Sequence, residues 1–397
     1  MTRSIDALER RVGEIVAEIE DRLVAIRRTL HANPELAFAE HETAALVASF
    51  LADLGIEYRA GIGKTGIAAL VGSGPGRTVG IRGDMDALPI EERSGAPYAS
   101  RRPGVMHACG HDAHTAIALG VAAVMARLGD DLPGRAMMIF QPAEESLNGA
   151  RAMLADGLFD GTKPDVMLGY HNWPLLPAGT VGWHPDVAFA SSDGFDVTIT
   201  GKSGHGAHPH LAVDPVVAMA HFINEIQMIV SREIAPLAAA VVTVGRVQGG
   251  TARNQIPDSV HLEGTIRTLL PETRDHVMAA LERVARGTAE GHRVVCEVTF
   301  VPGVAAVRND PAVLPVVLAA ARDRLGEERV ICLPQGSMGS EDFAEYSSRV
   351  PAAHLRLGSK RDGLDTMLHR SDFDLDEGCI AIGAAVVSAA ALRLMTA

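Results

Sequence analysis

The feature of this chain that most constrains its fold is an alternation of short apolar strands with helices. Apolar residues repeat at helical spacing from Ile5 to Ile26, and a second, largely apolar helix pattern covers 116–128. Strand patterns occur at 78–82, 136–140 and 165–168. Because strands separated by helices usually lie parallel in one sheet, this order predicts an α/β domain with a mostly parallel mixed sheet.

The pattern changes near residue 187, where strands begin to outnumber helices. Asp214 followed by Pro215 is typical of a helix start, and Pro271 opens a second helix. Four strand patterns surround these helices, at 195–200, 239–247, 259–269 and 293–300. The resulting β-α-β-β-α-β order is the split motif of a ferredoxin-like fold.

The α/β pattern returns in the last part of the chain, with a helix from Pro311, a strand at 354–357 and a long helix from Leu375. A length of 397 residues fits two or three domains. We therefore predict a catalytic α/β domain formed by 1–186 and 302–397. It is interrupted by an inserted α+β domain at 187–301.

Composition and charge restrict the partners of the chain. Hydrophobic residues make up 47% of the sequence, enough for sizeable cores. The formal net charge is −13, so we expect neither nucleic acid nor a membrane as a partner. The apolar stretch 379–392 is shorter than the roughly 18 residues of a membrane span. With no signal-peptide pattern and too few cysteines for a disulfide framework, a cytoplasmic protein is expected.

Three histidines, a cysteine and an aspartate lie close together in the segment 106–114. Imidazole and thiolate groups are preferred ligands of zinc and related metals. We interpret this density as a metal site, because packing alone rarely collects so many ligand types. Cys109 and His111 can point the same way if the segment is extended. His114 lies a helical turn further on and is expected behind the ligands.

Further carboxylates and histidines lie near the ends of predicted strands or before the last helix. They are Asp84, Asp86, Glu144, Glu145, His171 and His369. Each alone is as easily part of an acidic turn or a solvated face. Together they would converge, because parallel strands present their carboxyl ends at one edge of a sheet. One glutamate could then bind metal while its neighbour acts as general base.

The inserted domain contains a polar cluster of its own. A segment rich in glycine and histidine covers 201–210 and includes His205, and Asn254 and Arg267 follow. The segment is either a ligand loop or a surface loop. Arg267 lies in a strand between apolar neighbours, so its charge needs a partner. A substrate carboxylate and a structural Asp or Glu suit its guanidinium equally well.

Eight motifs occur in a fixed order: GDMDALP, MHACGHDAHTA, QPAEE, GYHNWP, GKSGHGAHPH, RNQIP, GSEDFAEY and LH. In this combination the chain resembles the metal-dependent aminoacylase and carboxypeptidase G superfamily, in its hippurate hydrolase and auxin-conjugate amidohydrolase branch. The resemblance covers nearly the whole chain. It implies a metallopeptidase-like catalytic domain with an inserted domain that acts as a lid and dimerises. It also implies a homodimer or a dimer-based tetramer.

The resemblance further implies a catalytic centre with two divalent metal ions. Glu144 would be the general base and later the proton donor, and Asp86 would orient a metal ligand. The implied ligands are Cys109, His111, Glu145, His171 and His369.

The same resemblance implies roles for residues around the substrate. His205 would reach the active site of a partner subunit and help to stabilise the oxyanion. Asn254 and Arg267 would hold the substrate carboxylate or carbonyl. Gly339 would line the pocket through its backbone groups.

Two positions depart from the family pattern. Asp84 stands where many superfamily members have histidine, and the Cys109–His111 pair takes over ligation. The thiolate favours Zn²⁺, while the carboxylate and imidazoles also accept Mn²⁺, Co²⁺ or Ni²⁺. The segment 146–148 replaces a run of glycines found in branch members, which changes the acyl pocket.

The expected reaction is hydrolysis of an N-acyl amino acid with a free carboxylate to a carboxylic acid and an amino acid. A dipeptidase, a carboxypeptidase or an N-acetyl-diaminopimelate-type deacetylase would use the same scaffold. A non-catalytic ligand-binding homologue is a more distant alternative. It would be expected to have lost Glu144 or a ligand, yet all of these residues are present.

Overall fold

The computed structural model describes residues 4–397, and these form two compact units. The first unit contains the described residues up to Ala188 together with Arg308–Gln335 and Asp342–Ala397. The second contains Phe189–Val307 and Gly336–Glu341. The sequence did not indicate that Gly336–Glu341 groups with the second unit. The assignment of that unit as a lid and dimerisation domain stays a prediction.

The helices and strands are numbered in chain order. The helices are α1 (Ile5–Ala32), α2 (His41–Asp53), α3 (His111–Leu128), α4 (Gly149–Ala155), α5 (Pro215–Met228), α6 (Pro271–His292), α7 (Leu314–Leu325), α8 (Ala344–Ser347) and α9 (Gly378–Thr396). The strands are β1 (Tyr58–Ile62), β2 (Gly66–Val71), β3 (Thr78–Asp84), β4 (Arg135–Gln141), β5 (Val166–Pro177), β6 (Val181–Trp183), β7 (Val187–Phe189), β8 (Ser191–Thr200), β9 (Gly204–His205), β10 (Ala240–Gly249), β11 (Gln255–Ile256), β12 (Ser259–Thr268), β13 (Val295–Val304), β14 (Val307–Arg308), β15 (Val330–Cys332) and β16 (Ala352–Lys360).

An eight-stranded mixed sheet forms the centre of the first unit, in the order β1-β2-β4-β3-β5-β16-β6-β15. Its middle strands β4, β3, β5 and β16 are mutually parallel. Antiparallel pairs occur nearer the edges, between β1 and β2, β2 and β4, and β16 and β6. The predicted α/β class is confirmed, and the parallel centre brings several strand ends to one edge.

The helices α1, α3 and α9 pack together in the core of this unit. Almost all of α3 is buried, as its apolar sequence predicts. A Cβ atom at Gly120 would approach Leu23 Cδ1 to 2.8 Å and Ala384 Cβ to 2.9 Å, so this glycine permits close helix packing.

The apolar stretch judged too short for a membrane span belongs to α9, a helix of 19 residues. Among the described residues, α9 alone is long and apolar enough to cross a membrane. Its apolar window is 78% buried within the fold, as expected for a core helix.

The second unit contains a four-stranded antiparallel sheet in the order β10-β12-β8-β13. With α5 and α6 packed on one face, this is the predicted split β-α-β arrangement. Asp214 caps α5 as expected, because its carboxylate accepts hydrogen bonds from the amides of Val216 and Val217. The chain order and the cap were therefore predictable from the sequence.

Candidate metal centre

Cys109 and His111 lie at the start of α3, at one edge of the central sheet. An extended segment was the condition under which the two side chains were expected to point the same way. Instead, α3 begins at His111 rather than near residue 116. Gly110 has φ +84°, and a Cβ there would approach Asn172 Nδ2 to 2.3 Å. A left-handed glycine thus turns the chain so that both side chains contribute to one cluster.

His111 is fixed by a carboxylate behind it. Its Nδ1 lies 3.2 Å from Asp86 Oδ1, so the imidazole donates its Nδ1–H to Asp86. Its Nε2 is buried and makes no hydrogen bond. This arrangement leaves a bare nitrogen aimed into the cluster, as metal-ligating histidines require.

His171 lies inside β5, not after it as the sequence indicated. Its Nδ1 lies 2.7 Å from the carbonyl oxygen of Asn172, which makes Nδ1 the protonated nitrogen. Its Nε2 lies 3.4 Å from Cys109 Sγ. The ligand atoms of Cys109, His111 and His171 all lie within 4.8 Å of one another.

Glu144 and Glu145 follow β4 in a tight turn. Their amides both donate to Asp86, at 3.0 Å each. Ala143, which precedes them, has φ +54°, a costly left-handed conformation for a residue with a side chain. Asp86 therefore holds this strained turn and His111 at the same time.

His369 completes the cluster from the loop before α9. Its φ is +64°, and its amide donates to the carbonyl oxygen of Ala108 at 2.8 Å. Its Nε2 lies 3.3 Å from Glu145 Oε1. The ligand atoms of Cys109, Glu145 and His369 lie within 4.8 Å of one another, so Cys109 belongs to two overlapping triads.

His114 is held by hydrogen bonds on both ring nitrogens. Nδ1 lies 2.6 Å from Asp84 Oδ1, and Nε2 accepts the amide of Asn172 at 2.8 Å. Asp84 also forms a buried ion pair with Arg82. Although Asp84, His111 and His114 lie close together, His114 has no nitrogen left for a metal. The expectation that it lies behind the ligands is compatible with these contacts.

Arg82 is a part of the site that sequence reasoning did not assign. Its fully buried guanidinium binds Asp84, Gln141 Oε1 at 2.9 Å and Asp342 Oδ1 at 3.0 Å. Asp342 also accepts the amide of Ala150 at 2.9 Å. An arginine inside the apolar strand β3 was the available signal, because such a charge must be paired.

The electrostatics of the cluster call for a cation. Burial, together with the charges of Glu145, Glu144 and Asp84, holds the pKa of the Cys109 thiol well above its usual range. Burial disfavours an imidazolium at His111, yet Asp84 and Asp86 outweigh it and raise the pKa of His111 to about 10. The cluster therefore has excess negative charge. With the buried His111 Nε2 that makes no hydrogen bond, the donor set fits divalent metal ions.

In the second unit, strand pairing brings two predicted segments together. His205 pairs with Gln255 in the ladder of β9 and β11, which places the glycine- and histidine-rich segment beside Asn254. His205 is exposed, and its Nδ1 accepts the amide of Ala207 at 3.0 Å. The neutral ring therefore carries its proton on Nε2, where it can donate outward.

Arg267 has no ion-pair partner among residues 4–397. Its Nη1 donates to the carbonyl oxygen of Ile266 at 3.2 Å. The nearby Asp193 instead forms two 2.6 Å hydrogen bonds with Arg274. Burial lowers the pKa of Arg267, although the negative charge of Asp193 acts to raise it. Of the two partners considered for Arg267, a structural carboxylate is not found in the described structure.

Gly339 is exposed, and its backbone groups already have partners within the second unit. Its amide donates to Ser337 Oγ and its carbonyl accepts the amide of Ala190, both at 3.0 Å. A role in lining the pocket stays a prediction.

The sequence of residues 80–393 matches Peptidase family M20/M25/M40. The chain belongs to this family. As a member it is a metal-dependent amidohydrolase, and the peptidase-like part of the resemblance seen in the sequence is confirmed.

Relatives and solved structures agree over nearly the whole chain. N-acetylcysteine deacetylase of Bacillus subtilis is 40% identical over 363 residues, covering 91% of this chain and 93% of the relative. N-acetyldiaminopimelate deacetylase of Listeria monocytogenes is 38% identical over 342 residues, covering 85% and 91%. The crystal structure of Bacillus subtilis YXEP, a dinuclear metal-binding peptidase of this family, has a TM-score of 0.82 at 34% identity, covering 96% of this chain and 99% of that chain.

Proposed function

We propose that this chain hydrolyses the amide bond of N-acyl amino acids that have a free carboxylate. The observation that carries the proposal is the convergence of buried imidazole, thiol and carboxylate groups at the start of α3. The products would be a carboxylic acid and an amino acid.

The proposed ligands are side chains whose bare donor atoms face the cluster. They are Cys109, His111, Glu145, His171 and His369. Divalent metal ions bound there would lower the pKa of a water and polarise the amide carbonyl. Asp86 keeps His111 in the tautomer that ligation needs, through its contact with Nδ1.

Glu144 is the proposed general base. Its side chain is 6% exposed, and its Oε2 lies 3.9 Å from His111 Nε2, at the rim of the ligand cluster. From this position it would take a proton from the attacking water and deliver it to the leaving nitrogen. Such a role needs a carboxylate beside the ligands that keeps some access to solvent and substrate.

Residues of the second unit are proposed to select the substrate. Arg267 is half-buried and lacks a carboxylate partner in the described structure, which suits a substrate carboxylate. His205, with its outward Nε2–H, would donate to the oxyanion of a partner subunit in a homodimer. Asn254 lies beside the strand that carries His205 and would hold the substrate carbonyl or carboxylate.

The relatives favour a small acyl group as a second candidate, since two of them are deacetylases by name. Leu147 supports this candidate: it is half-buried with φ +54°, and its amide donates to Glu144 O at 2.7 Å. A branched side chain held in the turn after Glu145 would narrow an acyl pocket.

A reconstitution assay tests the proposal. The chain is stripped with a chelator, reloaded with Zn²⁺, Mn²⁺, Co²⁺ or Ni²⁺, and assayed with acetyl, benzoyl and indolylacetyl amino acids beside dipeptides. We expect hydrolysis that a chelator abolishes and metal restores. Preference for acetyl substrates would support the deacetylase candidate, and preference for dipeptides would favour a peptidase. Absence of hydrolysis in all loaded forms would contradict the proposal.

A further inference from the structure

A second buried polar cluster lies behind the proposed ligands and has no part in the proposed chemistry. Its centre is Arg27 on α1, which is fully buried. Arg27 Nε donates to Asp112 Oδ2 at 2.7 Å, and its Nη2 donates to Asp374 Oδ1 at 3.1 Å. A third bond joins its Nη1 to Glu377 Oε1 at 3.3 Å. One guanidinium therefore binds two separate parts of the chain.

The two parts bound by Arg27 are those that carry proposed ligands. Asp112 directly follows His111 in the first turn of α3. Asp374 lies in the loop that continues from His369 to α9, where Arg361 and Tyr98 also bind it. None of these groups is among the candidate ligand residues, so we expect any effect on the proposed ligands to pass through the backbone of neighbouring residues.

His31, one turn after Arg27 on α1, strengthens the link to α3. Its Nδ1 lies 2.7 Å from Asp112 Oδ2, and its Nε2 lies 3.2 Å from Glu92 Oε1. His31 and Asp112 are fully buried. A carboxylate bound at once by Arg27 and His31 has little freedom to move, because each displacement would leave a buried charge unpaired.

We propose that Arg27, His31 and Asp112 are positioning residues for the metal centre. They hold the first turn of α3, and Arg27 holds the loop of His369 through Asp374. The distances that separate Cys109, His111 and His369 from one another are thereby fixed before any ion binds. The inference rests on the ligand set of the proposed function.

The test uses Asp112→Asn, which keeps the shape of the side chain and removes its charge. We expect the affinity for Zn²⁺, measured by competition with a chromophoric chelator, to fall by about tenfold to a hundredfold. The value of kcat at saturating metal should fall much less than the affinity. Asp374→Asn, on the other side of Arg27, should weaken the same affinity.

Glu9→Gln provides the matched control. Glu9 forms two hydrogen bonds of 2.6 and 2.8 Å with Arg393, and it lies 18 residues before Arg27, roughly 27 Å along α1. The Glu9→Gln variant should have a lower melting temperature in its metal-free form but an unchanged affinity for Zn²⁺.

A second pair of variants tests the guanidinium of Arg27. Arg27→Lys keeps the positive charge but loses the planar guanidinium, so it should retain part of the Zn²⁺ affinity that Arg27→Met loses.

The outcomes separate two failures. If the unaltered chain binds fewer than two ions, the ligand set of the proposed function is wrong. If it binds two ions and Asp112→Asn binds Zn²⁺ as tightly, with a loss of melting temperature like that of Glu9→Gln, the network is structural only and the inference is wrong. Should Asp112→Asn fail to fold, His31→Gln replaces it, with the same two readings.

Discussion

The candidate residues of the two units differ in how completely the fold satisfies them. In the first unit, Cys109, His111 and His171 are buried, and both imidazoles have one nitrogen engaged. In the second unit, His205 is exposed and Arg267 is half-buried without an ion pair in the described structure. A buried charge must be paired within the protein, whereas water can solvate an exposed group until a ligand binds it.

Three arginines make the difference concrete. Arg27 and Arg82 are fully buried, and each binds at least two carboxylates. Arg267 has only a neighbouring carbonyl. The first two are parts of a scaffold, and the third is available for recognition. The contrast is between buried charges that are paired within the first unit and a half-buried cation of the second unit that has no ion pair in the described structure.

The largest expected effect concerns the buried centre. Glu144→Gln should lower kcat by at least about a hundredfold, because it removes the general base. It should retain two bound metal ions by elemental analysis, whereas Glu145→Gln should lose metal. Near-normal turnover of Glu144→Gln would remove Glu144 from its role.

The next effect concerns the exposed histidine. His205→Ala should lower kcat by about a hundredfold, in the range known for loss of an oxyanion donor. His208→Ala is the control, since that ring lies 5.4 Å away with no assigned role. Mixing His205→Ala with Glu144→Gln chains should restore part of the activity if His205 acts across a dimer. Absence of rescue would mean that it acts in its own subunit or not at all.

A smaller effect is expected at Arg267. Arg267→Met should raise KM about 10- to 100-fold, the equivalent of one charge-assisted hydrogen-bonded pair. Against a substrate whose carboxylate is a carboxamide, the variant and the unaltered chain should be alike. Arg246→Met on the neighbouring strand, which removes an exposed pair with Glu263, should leave KM unchanged. Equal KM for Arg267→Met would contradict carboxylate recognition.

The last effect concerns stability rather than turnover: the scaffold makes the free energy of unfolding depend on pH. Burial disfavours a charge on His31, but Asp112 and Glu92 raise its pKa to about 9. The positive charge of Arg27 acts against this rise, and Tyr98 lies edge-on to the imidazole ring. The folded pKa exceeds the unfolded value of about 6.5. Below a pH of about 6.5, the imidazolium therefore contributes about 3 kcal/mol to the free energy of unfolding. This contribution is lost as the pH rises through about 9.

Urea unfolding at pH 6 and pH 9.5, with chelator present, measures that dependence. The unaltered chain should lose about 3 kcal/mol more between the two values than His31→Gln. An equal loss in both would show that His31 is not charged in the folded chain.

Much of the site was predictable because its residue types are unusual in their positions. Three histidines and a cysteine in one short segment, and glutamates after a buried strand, are costly without a function. The networks of Arg27 and Arg82 were not predictable, because their partners lie up to 350 residues away in the sequence. The left-handed Gly110 was also not evident, and it decides how Cys109 and His111 converge.

The sequence by itself determined the alternation of elements, the inserted split β-α-β order and the inventory of ligand types, because these follow from local periodicity and composition. The tertiary structure decided which of those side chains meet, which nitrogen of His111 and His171 stays bare, and that His114 has no ligand atom left. Only a folded chain can assign hydrogen-bond partners, and burial makes those partners compulsory. The same structure leaves Arg267 as a half-buried cation with no carboxylate partner among residues 4–397.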